Sequence, residues 1–214
     1  MHWILVWSWR LCRLALLPIA AGVIAVTGSL LYLGPRLPSV EVLRDVRFQE
    51  PLRVYSRDGL LMGEFGEMRC TPVRFEQIPQ VLIHAVLAAE DDRFLRHHGV
   101  DFGGLSRAAW ALATTRSIQS GGSTITMQVA RNYFLSRDQT FVRKFNEILL
   151  ALQIERELDK QQILELYLNK IFLGYRAYGI EAAAQVYYGR PIEQLSLDEA
   201  ALIAGLPKAP SALN

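Results

Sequence analysis

The sequence predicts a mainly α-helical domain, with a short β element at its start and one membrane-spanning helix ahead of it. Three observations carry this reading. Leu14 to Leu33, "LALLPIAAGVIAVTGSLLYL", contains no charged residue, and about twenty such residues span a bilayer as a helix. "LRVYSRDGLLMGEFGE" alternates apolar and polar residues around Asp58-Gly59, the pattern of a β-hairpin. From Ile78 onward apolar residues recur at helical spacing between Gly, Ser and Pro breaks.

The 214 residues suffice for one domain with a full core, or a domain plus an appendage. Hydrophobic residues make up 51% and mean hydropathy is +0.15, an excess concentrated in the charge-free run. Arg10 and Arg13 precede that run, which predicts a cytoplasmic N-terminus over 1–13 and an anchor over 14–33, although Arg36 and Arg44 weaken the asymmetry. A cleaved signal peptide is the competing reading, but the bulky "SLLYLGPRLP" offers no small-x-small cleavage site. A net charge of +2, without a basic groove of interleaved aromatics, argues against a nucleic-acid partner. Cys12 and Cys70 suggest no internal disulfide.

Residues 34–50, with Pro35 and Pro38, read as a linker, and 51–214 as the domain. A helix starting at Pro79 and running through "QVLIHAVLAAE" places Glu90 at its C-terminal end. A carboxylate there opposes the helix dipole, a poor position for an acid serving only stability. Further helices are expected in "TITMQVARNYF" after "SGGS", in "QTFVRKFNEILLALQIEREL", in "KQQILELYLNKIFL" closed by Gly174, and in "IEAAAQVYYG". The last opens on the capping box Ser196-x-x-Glu199 and runs through "DEAALIAGL" to Pro207.

"EDDRFLRHHGVD", Glu90 to Asp101, gathers four acids and two histidines in twelve residues. It could be a solvated turn, a metal site or an acid/base site. A metal site would use Asp91, His97, His98 and Asp101, yet it lacks an i, i+4 histidine pair or other ligand spacing. The acid/base reading singles out Glu90, because an acid that follows an apolar run is partly desolvated, as a general base needs.

In the helix after "SGGS", Thr124, Gln128, Arg131 and Leu135 form one stripe, and Ile125, Val129 and Tyr133 the core side. Gly121-Gly122 permits close backbone approach, and the helix N-terminus behind it could receive an anion. In the next helix Phe141, Phe145, Ile148 and Leu152 are expected to face the core, with Arg143 and Glu147 opposite. Such i, i+4 pairs are worth little on a surface. Leu150 and Ile154 share their side, however, and a helix apolar on both sides is buried or lines a cleft. Charges on such a face must be paired or used.

"EDDRFLRHHGVD" resembles the first motif of the peptidoglycan glycosyltransferase family, the domain of class A penicillin-binding proteins and monofunctional transglycosylases. "GGSTITMQVARN", "RKFNE", "ILELYLNKIFLGYRAYGIEAAAQVYYG" and "LSLDEAALIAGLPKAPS" resemble its other four motifs, in order. The resemblance covers about Val54 to Asn214, and the fourth segment looks most like the penicillin-binding protein 1A branch. It implies a lysozyme-like helical fold with a small membrane-associated jaw near Phe102 to Gln119, around Trp110. It also implies a bacterial inner-membrane location, single-pass, with the catalytic domain on the periplasmic or extracellular side. The implied substrates are lipid II and the lipid-linked growing glycan strand, joined by inverting β-1,4 transfer with release of undecaprenyl pyrophosphate. Cell-wall elongation or division proteins are the implied partners.

By position in those motifs, Glu90 is the implied general base. Glu147 is the second essential carboxylate, orienting cations or holding a divalent metal (Mg or Mn) at the pyrophosphate. Arg131, Arg143 and Lys144 would stabilise the leaving group, and Thr124, Gln128 and Asn132 would hydrogen-bond sugar or phosphate. Asp91 would reach substrate, Ser123 would cap the helix, and His97 and Asp101 would support the loop. Met127 stands where many members have glutamine, and Gln139 where relatives often place arginine, with Arg137 two residues away able to compensate. No Ser-x-x-Lys or Lys-Thr-Gly occurs, so the chain is expected to be a monofunctional version, a truncated piece or a gene fragment. Two other readings stand beside polymerisation: a lysozyme-like hydrolase, which would have no anionic leaving group to justify the three cations, and a non-catalytic membrane scaffold.

Overall fold

The computed structural model describes residues 37–46, 52–65, 69–115, 122–135 and 140–208, together with Gly28. The rest of the expected anchor lies outside the described residues, as do Arg137, Gln139 and Gly121. No helix among the described residues is long and apolar enough to cross a membrane. The chain divides into two compact units, Met1–Pro38 and Ser39–Asn214, and the second holds everything that follows.

That second unit begins inside the stretch read as linker. Val40–Asp45 forms a 3-10 helix that buries Val40 and Leu43, residues one turn apart at three residues per turn. Arg44 Nη2 adds an ion pair with Glu157 Oε2 at 2.9 Å, a partly exposed contact of little weight beside the burial. The predicted hairpin follows as β1 (Leu52–Tyr55) antiparallel to β2 (Leu61–Phe65). Its loop has three residues, closed by Ser56 N donating to Leu60 O at 2.7 Å, with Gly59 at φ 81°. Asp58-Gly59 thus ends a longer turn instead of forming a two-residue one. The pattern did not reveal β3 (Arg69–Cys70), which lies parallel to β4 (Ala177–Tyr178). Two-residue strands show no alternation, and their pairing spans more than a hundred residues.

Seven helices follow: α1 (Gln80–Glu90), α2 (Phe102–Thr115), α3 (Ile125–Phe134), α4 (Phe141–Glu157), α5 (Lys160–Lys170), α6 (Ile180–Tyr188) and α7 (Leu197–Gly205). Six match the expected helices. The capping box of α7 forms, with Glu199 Oε2 accepting from Ser196 N at 2.9 Å. α2 falls in the stretch assigned to the jaw, for which the sequence reading names no element. It exposes Phe102 and Trp110, and a Cβ on Gly122 would lie 3.2 Å from Ala108 on it, the close approach expected of the glycine pair.

α3 is the central element, packed against both α4 and α5, while α1 packs against α7. Ile125, Met127, Val129 and Ala130 of α3 are fully buried. The expected core face of α4 is corrected by the structure. Its deepest residues are Glu147, Leu150, Ala151 and Ile154, whereas Phe145, Ile148 and Leu152 are only partly buried. A helix apolar on two sides cannot reveal its inward face by periodicity, and here the side that bears the Glu147 carboxylate is the buried one.

α5 stops at Lys170, not at Leu173. The chain turns back on itself there: Gly179 N donates to Ile171 O at 2.8 Å and Leu173 N to Ala177 O at 3.0 Å. The segment ahead of α1 is tied to α5 by the buried Asn169, whose amide accepts from Val73 N at 2.9 Å and donates to Val73 O at 2.8 Å.

Candidate active site

Glu90 is the last residue of α1, as the sequence predicts. Gln128 Nε2 on α3 donates to Glu90 Oε2 at 2.8 Å. The other carboxylate oxygen, Oε1, is buried and has no hydrogen-bond partner. One oxygen is therefore held and the other is not used by the fold. Gln128, which the motif resemblance makes a substrate contact, has this partner in the protein itself.

Asp91 is buried and spends its carboxylate on the fold. Oδ2 accepts from the backbone N–H of Ile125 at 3.0 Å, and His97 Nε2 lies 2.9 Å from the same oxygen. The anion received at the α3 N-terminus is thus the chain's own Asp91, which satisfies an otherwise orphan N–H and faces the positive end of the helix dipole. Thr124 is the N-cap: its Oγ1 accepts from Met127 N at 3.2 Å and donates to Gly99 O at 2.5 Å. At 2% exposure, with its hydroxyl both donating and accepting within the fold, Thr124 is a cap and a tie. Ser123, expected as the cap, instead accepts a hydrogen bond from Lys144 Nζ at 2.6 Å.

The loop between α1 and α2 is braced as expected of His97 and Asp101. Asp101 pairs with Arg93. Burial pushes the Asp101 carboxyl up, but backbone N–H groups of Gly104 and Gly103 and the charges of Arg93 and Arg107 outweigh it, leaving it below the ordinary value. Sequence reasoning missed a second brace. Lys160 Nζ donates to His97 O and to Glu155 Oε1, both at 2.7 Å, and Thr126 Oγ1 donates to that same Glu155 oxygen at 2.7 Å. His98 is exposed. Among the described residues no group of three His, Cys, Asp or Glu is placed to hold a metal ion.

The cationic set belongs to α4. Glu147 is 1% exposed. Lys144 Nζ donates to its Oε2 at 3.0 Å, and Arg143 Nε lies 3.2 Å from its Oε1, at ion-pair distance but misaligned for a hydrogen bond. A buried carboxylate is tolerated only with such partners. Lys144 and Arg143 thus converge on one acid. Through Ser123, Lys144 reaches the residue preceding the α3 cap, so Asp91 and the cationic set attach to the same helix end from two sides.

Arg131 and Asn132 sit on α3, one turn beyond Gln128, and both are partly buried. Arg131 acts electrostatically on Tyr167 of α5, a residue that sequence reasoning passed over. A tyrosine inside "ELYLNK" reads as core, and nothing in that pattern shows that its hydroxyl faces charge. Met127 is fully buried with Val100 and Ala151, which accounts for an apolar residue where many members carry glutamine.

The transglycosylase family profile matches residues 58–214. Penicillin-binding protein 1A of Pseudomonas aeruginosa is 66% identical over 89% of this chain and 23% of its own length. The Escherichia coli protein of that name is 52% identical over 94% of this chain and 24% of its own. That of Neisseria gonorrhoeae is 51% identical over 90% and 24%. The chain spans about a quarter of the length of these relatives. A crystal structure of penicillin-binding protein 1A from Haemophilus influenzae aligns with 79% of this chain and 16% of its own, at 37% identity and a TM-score of 0.42. With the profile matched over most of its length and relatives this similar, the chain belongs to the transglycosylase family.

Proposed function

We propose that this domain polymerises lipid II into glycan strands by inverting β-1,4 glycosyl transfer, with Glu90 as general base. The observation that carries the proposal is the division of labour within one carboxylate: Oε2 held by Gln128, Oε1 buried and unpartnered. The acceptor's 4-hydroxyl passes its proton to Oε1 while its oxygen attacks the donor's anomeric carbon from the face opposite the pyrophosphate. The anomeric C–O bond breaks, and its electron pair leaves on the lipid pyrophosphate.

That leaving group needs fixed positive charge and no proton. Lys144 and Arg143 supply the charge, held by Glu147, with Arg131 and Asn132 along α3 completing the contacts. A lysozyme-like hydrolase expels a sugar hydroxyl and relies on a protonated acid at that oxygen, so two cations gathered on one helix favour transfer. Both Glu147 oxygens lie within ion-pair distance of a cation. This donor set does not fit a resident Mg or Mn, and no step here runs through one. The exposed Phe102 and Trp110 on α2 support a jaw lying against the membrane, where both lipid-linked substrates reside. The lysozyme-like architecture and the inner-membrane, outward-facing location belong to the same proposal.

The test is polymerisation of labelled lipid II. The unsubstituted chain should form long glycan, and Glu90→Gln should lower the rate by about 10²–10⁴-fold, the usual contribution of a positioned base. Equal rates would remove Glu90 from that role. No polymer from the unsubstituted chain would favour the scaffold reading.

A further inference from the structure

We infer that the Tyr167 hydroxyl is a second substrate contact beside Glu90, donating a hydrogen bond to the acceptor hydroxyl whose proton Glu90 Oε1 takes. The inference rests on the glycosyltransferase reading and adds a residue to it.

Tyr167 is 1% exposed on α5, the helix that packs against α3, and its hydroxyl has no hydrogen-bond partner. An orphan hydroxyl in a protein interior costs stability. The same region shows that this fold readily satisfies phenols that serve only structure. Tyr133 donates to Leu166 O at 3.3 Å, and Tyr187 to Leu173 O at 2.7 Å. Phenylalanine would fill the space of Tyr167 without the orphan, so the oxygen calls for another explanation.

Its surroundings supply one. Burial above all, and then the charge of Glu90, push the phenol well above its ordinary pKa, with Arg131 acting the other way and Asp91 adding to the rise. Near neutral pH the hydroxyl is therefore a proton donor only through hydrogen bonding. Glu90 Oε1 is an acceptor, also buried and also unpartnered. Donor and acceptor act on each other electrostatically without bonding to each other. A sugar hydroxyl placed between them satisfies both, giving its proton to Oε1 and accepting from Tyr167 through a lone pair. This fixes the direction in which the attacking oxygen presents its other lone pair to the anomeric carbon. Tyr167 keeps its proton throughout. The proton lost by the acceptor ends on Glu90, and the electron pair of the broken bond ends on the pyrophosphate.

The experiment compares Tyr167→Phe with Tyr133→Phe, measuring thermal melting and the initial rate of glycan formation from labelled lipid II. Tyr167→Phe should melt at or above the parental temperature while its kcat falls at least ten-fold. Tyr133→Phe, which removes a hydroxyl bonded within the fold, should melt lower and polymerise at the parental rate. A parental rate for Tyr167→Phe overturns the inference while leaving Glu90 untouched. A lowered melting temperature for Tyr167→Phe also overturns it, because the hydroxyl would then have a partner in the fold. A parent that makes no polymer overturns both the inference and the reading beneath it.

Discussion

Gln128 Nε2 and Glu90 Oε2 meet at 2.8 Å, so a side chain in the middle of α3 fixes the carboxylate that ends α1. The two helices carry different motifs, 38 residues apart. Asp91, next in sequence to Glu90, makes a second tie to α3 through Ile125 N. Glu90 is thus oriented twice, once by its own oxygen and once by its neighbour.

Replacing Gln128 with leucine should keep the fold and damage the rate. The lost hydrogen bond is worth about 1 kcal/mol of stability, which a urea titration would register as a small shift. The freed carboxylate should lower the polymerisation rate by roughly 10–100-fold, since small misplacements of a reacting group are costly. An unchanged rate would show that Glu90 needs no clamp.

Much of this architecture was legible beforehand, and the gaps have physical causes. Six helices and the hairpin followed from periodicity and turn residues, because those signals are local. Glu90 stood out because it ends an apolar helix. The roles of Thr124, Ser123 and Asp91 did not, because a short polar side chain beside a helix N-terminus suits a cap, a tie or a ligand equally well. Only the partners decide: Gly99 O for Thr124, Lys144 for Ser123, Ile125 N for Asp91. The inward face of α4 was hidden because both its sides are apolar. Tyr167 was hidden because a buried hydroxyl and a buried ring look alike in sequence.

Asp91→Asn separates support from substrate contact. An asparagine can still accept from Ile125 N, but it brings no charge to the helix end or to His97. Stability should fall by about 1–2 kcal/mol, and the rate should fall with it as Glu90 loses its anchor. An unchanged melting temperature with weaker lipid II binding would instead make Asp91 the ligand that the motif resemblance implies.

Alkaline pH should expose the buried phenols. Tyr133 and Tyr167 are both raised above the ordinary tyrosine value, by burial first; nearby Cys70 and Glu165 add to it at Tyr133, and Glu90 at Tyr167. The unfolded chain releases these protons near pH 10, while the folded chain retains them. Their contribution to stability is therefore complete below pH 10 and declines above it, by up to about 1.4 kcal/mol per pH unit for each tyrosine. Urea midpoints between pH 8 and 11 should be level and then fall. The double variant Tyr133→Phe, Tyr167→Phe should fall less steeply, and an identical slope would assign the decline to other groups.

Gly99→Ala tests whether the loop behind Glu90 depends on one close approach. Gly99 has φ +81°, and a Cβ there would stand 2.7 Å from Ala151 O and 2.9 Å from its carbonyl carbon on α4. Both obstacles are backbone within a helix, so neither can swing aside. The substitution adds the strain of a left-handed non-glycine residue, about 1–3 kcal/mol, to a clash that must push the loop off α4. The carbonyl of Gly99 also accepts the Thr124 hydroxyl, so the shift reaches the cap of α3 and, through Ile125 N, the Asp91 carboxylate. Melting temperature and polymerisation rate should therefore fall together, the rate by at least ten-fold, with Gly59→Ala as the comparison. Gly59 shares φ +81° but would meet nothing within 4 Å, so it should lose stability from backbone strain alone and keep its rate. If Gly99→Ala behaves like Gly59→Ala, the loop position of Glu90 does not depend on its packing against α4.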